Sequence, residues 1–274
     1  MLYGAADFLG GLASRRASTI VIVVIAQAAG LLPLALLLTI IPGTLSSADL
    51  LWSAAAGLAG SAGVGLLYRA LAVGTMSIVA PTTAVCAVVL PVAVDAAGGE
   101  RLGLLTWIGI ALALVAIVLV SQHTDRPGDV ARPTTMHALP PGLALAFVSG
   151  VAIGLFFIAL ARTSAAAGLW PLLVTRSVSI VLFSAVALAR LQSMRVSGSV
   201  LRVAVACGVL DLLANALYIV ASRGGPLSVV VTLASLYPAS TVLLARTFLG
   251  ERLSRRQAAG VACALAAVVL IVGS

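Results

Sequence analysis

Long stretches without a single charged residue are the feature that most restricts how this chain can fold. The longest cover residues 17–48, 50–68, 70–94, 102–124, 138–161, 224–245 and 257–274. A helix needs about 20 consecutive apolar residues to cross the hydrocarbon core of a bilayer. Charged residues make up only 9% of the chain, whereas a soluble domain carries about 25% and could not cover its surface with so few. The sequence therefore predicts an all-α integral membrane protein that crosses the bilayer many times.

Glycine, proline and arginine positions divide the apolar sequence into ten predicted helices. These cover residues 2–14, 18–41, 50–69, 76–97, 103–121, 142–162, 169–190, 200–221, 226–248 and 257–273. A polar segment with four prolines, residues 122–141, separates the fifth helix from the sixth. We therefore expect a first five-helix half at residues 1–121, a linker at 122–141 and a second half at 142–274.

The first predicted helix is short for a membrane span. Thirteen residues extend about 20 Å as a helix, whereas the hydrocarbon core is about 30 Å thick. Such a helix would either be tucked against its neighbours or continue a segment that begins further upstream. We expect the second, because the apolar pattern is already under way at residue 2.

The same charged tetrapeptide occurs twice, as Gly99-Glu100-Arg101-Leu102 and as Gly250-Glu251-Arg252-Leu253. Alignment of residues 99–121 with 250–272 gives 11 identities in 23 positions, so the chain contains two related halves. Five predicted helices separate the two copies. Because this number is odd, the copies lie on opposite faces of the membrane. The sequence predicts two inverted five-helix repeats, the architecture of secondary transporters with a substrate site near the bilayer midplane.

Several motifs resemble the EamA family of the drug/metabolite transporter superfamily. The segment 2–13, Leu-Tyr-Gly-Ala-Ala-Asp-Phe-Leu-Gly-Gly-Leu-Ala, is similar to the opening helix of that family, and the two Gly-Glu-Arg-Leu tetrapeptides to its repeat ends. Tyr237-Pro238 followed by Glu251 fits the pattern of the second half, whereas Ala87 stands where the repeat would place a proline. The resemblance implies a ten-helix transporter, commonly an exporter of metabolites, amino acids or drugs, with a central cavity lined by both halves.

The arginine positions and the family resemblance predict opposite orientations of the chain in the membrane. Loops after the odd-numbered helices contain 12 arginines and loops after the even-numbered helices contain 3. The positive-inside rule therefore predicts cytoplasmic odd loops and both termini outside. The family resemblance implies the reverse. We give the arginine bias more weight because it is a physical property of this chain.

Charged residues inside apolar helices are candidates for function because they are expensive in a bilayer. Arg176 lies midway along the seventh helix and Asp211 midway along the eighth. Asn215 and Tyr218 follow Asp211 at intervals of four and seven, so all three share a helix face. One interpretation is a cavity wall on which Asp211 binds substrate or takes up a proton. The alternative is a structural pair between Asp211 and Arg176 that joins two helices.

Three further residues are candidates for the substrate or proton pathway. Asp7 lies among small residues of the first helix, either in a cavity or near the interface as a helix cap. Tyr68 ends the third helix as Tyr218 ends the eighth, and Tyr237 lies beside a proline in the ninth. These aromatic rings could stack on a substrate, or they could serve in packing or in an interfacial belt.

Other classes of function find little support in the sequence. Cys86, Cys207 and Cys263 lie in apolar stretches without CxxC spacing, and His123 and His137 lie in the linker, so we expect no metal, no cofactor and no enzyme active site. The net charge of +8 comes from arginines that never exceed two in a row, which argues against a nucleic-acid partner. No phosphate-binding loop is present.

These observations predict a multi-pass secondary transporter of the plasma or inner membrane that exports a small molecule by alternating access. H⁺ is the expected coupling ion, taken up by Asp211 or Asp7. An importer is an alternative within transport. A non-transporting membrane subunit, or a component of a lipid-carrier flippase, is the alternative from another class. The sequence does not indicate a particular substrate or oligomeric state.

Overall fold

The computed structural model of the chain describes residues 2–97, 103–121, 140–224, 234, 237–250 and 255–273, and its regular structure there is helical. The α-helices are α1 Leu2–Ser14, α2 Thr19–Ala29, α3 Leu31–Ile40, α4 Ser47–Val73, α5 Met76–Ala97, α6 Leu104–Ser121, α7 Leu143–Ala161, α8 Trp170–Ala189, α9 Gly198–Gly224, α10 Tyr237–Leu249 and α11 Arg255–Val272. The predicted all-helical class is confirmed. Both Glu-Arg-Leu tripeptides and most of the predicted linker lie outside the described residues.

Five spans of the described part of the chain are long and apolar enough to cross a membrane. They are Thr19–Ile40, Ser47–Val73, Leu143–Ala161, Trp170–Ala189 and Gly198–Arg223. The remaining apolar helices are shorter. Many leucine, valine and isoleucine side chains on these helices face outward, an arrangement that suits contact with lipid rather than water. The predicted multi-pass membrane character is thereby supported.

The helices pack in a pattern that joins the two predicted halves. α4 packs along α7 and α8, while α1 packs on α9 and α2 packs on both α8 and α9. α5 contacts α7, and α10 contacts α1. α6 and α11 pack on each other and border the bundle through α5. The first four and the second four predicted helices therefore form one bundle, and the last helix of each predicted half lies at its border.

The second predicted helix, residues 18–41, forms one span, Thr19–Ile40, with an irregular turn at Gly30. α2 ends at Ala29 and α3 begins at Leu31, but Gly30 keeps helical backbone angles and its N–H donates to the carbonyl of Ala26 at 3.2 Å. Pro33 has no N–H to donate to the carbonyl of Ala29, which accounts for the irregular turn. A Cβ placed on Gly30 would lie 2.7 Å from Cζ of Arg176 on α8. The guanidinium group therefore occupies the space beside this glycine. A lone glycine in an apolar stretch gives no warning of that contact, because the contact comes from a distant helix.

Candidate functional site

A cavity lies between seven helices, α1, α2, α4, α7, α8, α9 and α10. Its empty space amounts to about 740 Å³, a figure that includes space open to the outside. Its polar lining consists of Tyr3, Asp7, Gln27, Ser61, Thr175, Arg176, Ser179, Asp211, Asn215 and Tyr237. Both predicted halves contribute to this lining. The cavity is therefore the place where polar side chains collect inside an otherwise apolar bundle.

An ion pair between α8 and α9 forms one wall of the cavity. Nη2 of Arg176 lies 2.8 Å from Oδ2 of Asp211, and their side chains are only 4% and 19% exposed. Nη1 of Arg176 donates to Oε1 of Gln27 on α2 at 2.8 Å. The pair proposed from sequence as a structural alternative is thus present. A buried ion pair of this kind survives only when further hydrogen bonds satisfy its atoms, and Gln27 supplies one of them.

The hydrogen-bond network continues from Asp211 to the first helix. Nδ2 of Asn215 donates to the backbone carbonyl of Asp211 at 2.8 Å and to Oδ1 of Asp211 at 3.2 Å. The hydroxyl of Tyr3 donates to Oδ1 of Asn215 at 3.1 Å. The predicted shared face of Asp211 and Asn215 is confirmed by these bonds. The network connects α1, α2, α8 and α9 through five side chains, counting Gln27 and Arg176.

Asp7 differs from Asp211 in having no counter-charge. It lies on α1 one turn after Tyr3 and lines the cavity. Within the part of the chain that the structure describes, the ion pair formed at this cavity is that of Arg176 with Asp211, so Asp7 is left without a cationic partner. An unpaired carboxylate in such a place is unfavourable unless it is protonated or meets a cation.

Two buried hydroxyl groups of the cavity lining lack a hydrogen-bond partner among the described residues. The hydroxyl of Tyr237 on α10 belongs to a side chain that is 6% exposed, and the hydroxyl of Ser179 on α8 to one that is 2% exposed. Most buried polar atoms in proteins are paired. A water molecule or a bound solute in the cavity would supply the missing partner.

Two of the seven predicted site residues lie away from the cavity lining. Tyr68 is buried against Gly10 of α1, and its hydroxyl lies 3.0 Å from Sγ of Cys207 on α9. Tyr218 is buried with its ring 4.9 Å from that of Phe157. Both side chains pack helices together in the structure. The other five predicted residues, Asp7, Arg176, Asp211, Asn215 and Tyr237, do line the cavity.

Sequence reasoning missed five polar residues of the lining, which are Tyr3, Gln27, Ser61, Thr175 and Ser179. Gln27 was detectable, because it is a lone amide in the uncharged stretch 17–48, and polar side chains in membrane helices are seldom without a partner. Tyr3 was detectable from its position four residues before Asp7. Ser179 gave no signal, because an isolated serine is common in membrane helices.

The lining of the cavity contains groups that can bind a solute. Among the described residues no group of three or more histidine, cysteine, aspartate and glutamate side chains could hold a metal ion. The lining supplies one ion pair, one unpaired carboxyl group, several hydroxyls and four aromatic rings. Such a set can hold and orient a small solute. The long apolar helices indicate a multi-pass membrane protein, and this cavity is its candidate solute site.

Comparison with known proteins identifies the class. Residues 140–273 match the model of the EamA-like transporter family, which confirms the resemblance found in the motifs. A solved structure described only as "Crystal structure of protein" is similar over 98% of this chain and 94% of that one, with 18% sequence identity and a TM-score of 0.56. At that identity the similarity concerns the fold alone. No curated protein matches the chain.

Proposed function

We propose that this protein is a secondary transporter that exports a small organic solute across the plasma or inner membrane by alternating access. The cavity carries the proposal, because charged and polar groups from both halves of the chain meet inside an apolar bundle. Ionisable residues at such places in membrane proteins mark substrate and ion pathways. The direction of transport is proposed from the family match over residues 140–273.

We further propose that the chain is built as ten spans in two inverted repeats, residues 1–121 and 142–274, joined by a linker at 122–141. Helix packing supports this arrangement. The third helix of the first half, α4, packs on the first helix of the second half, α7, and the third helix of the second half, α9, packs on α1. The fourth helix of each half also packs on the first helix of the other half, since α5 packs on α7 and α10 packs on α1. A two-fold axis in the membrane plane generates such reciprocal pairs.

Hydrogen bonds also connect the fourth helix of each half to the first helix of the other half. Oγ1 of Thr83 on α5 donates to the backbone carbonyl of Ala146 on α7 at 3.3 Å. Oγ1 of Thr241 on α10 donates to the backbone carbonyl of Gly4 on α1 at 3.0 Å. In each half a threonine of the fourth helix thus bonds the first helix of the other half. Small residues at these crossings allow the close approach that membrane helices need.

Asp7 is the proposed site of proton coupling. The groups that share its cavity are Asp211 and Arg176, which neutralise each other, and the phenols of Tyr3 and Tyr237. Asp211 was an equal candidate from sequence, but its carboxylate is held by Arg176 and Asn215. Asp7 has no such partner, so it can exchange a proton or a cation without breaking an ion pair. If Asp7 binds either a proton or the solute but not both at once, movement of one is coupled to movement of the other.

Flux measurements test the proposal. Metabolite levels outside cells with and without the protein identify a candidate solute, whose movement is then followed in proteoliposomes containing the purified chain. We expect saturable flux that increases with a pH gradient, and loss of that dependence in Asp7→Asn. A protein that inserts correctly but moves none of the solutes found by profiling would instead be a non-transporting subunit or part of a lipid-carrier flippase.

A further inference from the structure

The charge balance of the cavity indicates the charge of its ligand. Three charged residues line it, and two of them, Arg176 and Asp211, are bonded to each other at 2.8 Å. The other amino group of the guanidinium is directed to Gln27. Among the lining residues no cationic group is therefore left for an anionic solute, while the carboxylate of Asp7 is left without a partner. When Asp7 is ionised, the lining has a net charge of −1.

Aromatic rings form the wall next to this carboxylate. Tyr3 and Asp7 are separated by one turn of α1, so their side chains project from the same face of the helix. The Tyr3 ring lies edge-on to Phe157, with centroids 6.3 Å apart, and to Tyr237, with centroids 6.4 Å apart. Phe156 continues the series at 5.3 Å from Phe157. Ring faces attract organic cations, and the attraction increases when water is excluded.

The unpaired hydroxyls of the lining fit the same kind of ligand. Oxygen atoms of Tyr237 and Ser179 are buried without partners among the described residues, and each can accept a hydrogen bond from an ammonium N–H. An ammonium group thus finds a carboxylate, aromatic faces and acceptor oxygens in one cavity. A carboxylate or phosphate group would find the carboxylate of Asp7 and no free cation.

We propose that the cavity of this chain binds a monovalent organic cation, with its ammonium group at Asp7 and its apolar body against Tyr3, Phe156, Phe157 and Tyr237. This inference rests on the proposed transport function in one respect, which is that the bound cation is taken to be the transported solute. The binding itself requires no transport and can be measured separately.

Three probes of one size and different charge test this inference on the full-length chain in detergent. Benzylamine is cationic near neutral pH, benzyl alcohol is neutral and benzoate is anionic, and titration calorimetry gives the affinity of each. We expect benzylamine to bind at least about tenfold more tightly than benzyl alcohol, a difference of about 1.4 kcal/mol, and benzoate to bind most weakly. Benzoate binding as tightly as benzylamine would overturn the proposal.

Variants of Asp7 test whether this residue causes the preference for benzylamine over benzyl alcohol. Asp7→Asn is expected to remove the advantage of benzylamine while leaving the affinity for benzyl alcohol within about twofold, and Asp7→Glu to restore a preference for the amine. Arg190→Ala removes an exposed charge that does not line the cavity and is expected to leave all three affinities unchanged. An unchanged preference in Asp7→Asn would also overturn the inference. Failure of flux with intact amine binding would contradict the transport proposal alone.

Discussion

Asp49 at the start of α4 accepts a hydrogen bond from the backbone N–H of Ser164 at 2.6 Å and so ties the first half of the chain to the connection between α7 and α8. The hydroxyl of Ser164 donates to the same carboxylate at 3.0 Å, and Ser46 completes a capping box with it. Arg223 at the end of α9 donates to the carbonyls of Gly168 and Ser164 at 2.6 and 3.1 Å. Ser164 thus bonds Asp49 on one side and Arg223 on the other, and three chain segments meet there.

Replacement of Asp49 by alanine is expected to destabilise the protein through this contact. A hydrogen bond to a charged group is worth about 1.5–3 kcal/mol, and Asp49 accepts several of them. We expect the free energy of unfolding in mixed micelles to decrease by at least about 2 kcal/mol. Ser47→Ala, an exposed change in the same helical turn, is the matched control and should stay within about 0.5 kcal/mol of the native protein. Equal stability of the two variants would show that the contact contributes little.

The ion pair of the cavity leads to a second prediction. Arg176→Met leaves the carboxylate of Asp211 buried without its partner, and breaking a buried pair in this way costs about 3–5 kcal/mol. The double variant Arg176→Met with Asp211→Leu removes both charges and should recover a large part of the lost stability. Together with the native protein and Asp211→Leu alone, these variants form a double-mutant cycle, measured by unfolding in mixed micelles. Arg190→Ala, which changes an exposed arginine at the end of α8, controls for charge loss as such.

A double variant no more stable than Arg176→Met would contradict this account. That outcome would mean that the guanidinium group stabilises the bundle through Gln27 and the space beside Gly30 rather than through Asp211. The prediction therefore separates charge pairing from packing at one side chain.

Much of the fold could be predicted from the sequence because membrane helices satisfy their own backbone. The apolar stretch alone then fixes each helix, and the ends follow from charged residues, glycine and proline. The predicted and observed bounds agree within a few residues for α1, α5, α6 and α8. The contact between Gly30 and Arg176 could not be predicted, because Arg176 lies on another helix.

The site was predicted only in part, for a physical reason. Helical periodicity puts Tyr218 on the same face as Asp211, but seven residues correspond to about 10 Å along the axis. At that height the face meets Phe157 and is packed rather than open. Periodicity gives direction around a helix, whereas exposure to a cavity also depends on what the neighbouring helices place at the same height.

Close packing of α2 on α9 gives a third prediction. A Cβ on Gly208 would overlap the backbone of Ala26, with its carbonyl carbon at 2.6 Å and its Cα at 2.7 Å. Backbone atoms cannot rotate away, so Gly208→Ala must push two helices apart, at a cost of about 1–3 kcal/mol or more. Gly198→Ala on the same helix meets nothing within 4 Å and serves as the control. Thermal unfolding of the purified proteins should show a lower midpoint for Gly208→Ala alone, and a lower midpoint for Gly198→Ala alone would contradict the packing described.

Replacement of tyrosine by phenylalanine is expected to lower stability at Tyr68 and to weaken benzylamine binding at Tyr237. The hydroxyl of Tyr68 is paired with Cys207 between helices, so Tyr68→Phe should lower the free energy of unfolding by about 0.5–1.5 kcal/mol without changing the affinity for benzylamine. The hydroxyl of Tyr237 is buried without a partner among the described residues. Tyr237→Phe removes that unpaired group, so the protein should be as stable as before or more stable, while benzylamine binds several-fold more weakly.

Unfolding in mixed micelles and calorimetric titration of the same two preparations check both halves of this prediction. The sequence placed both tyrosines in the pathway, whereas the structure brings only Tyr237 to the cavity. Weaker amine binding in Tyr68→Phe, with stability intact, would return Tyr68 to the pathway and require the cavity to extend toward Gly10 in another state of the protein. Loss of stability in Tyr68→Phe together with loss of benzylamine affinity in Tyr237→Phe would show that Tyr68 serves in packing and Tyr237 in binding.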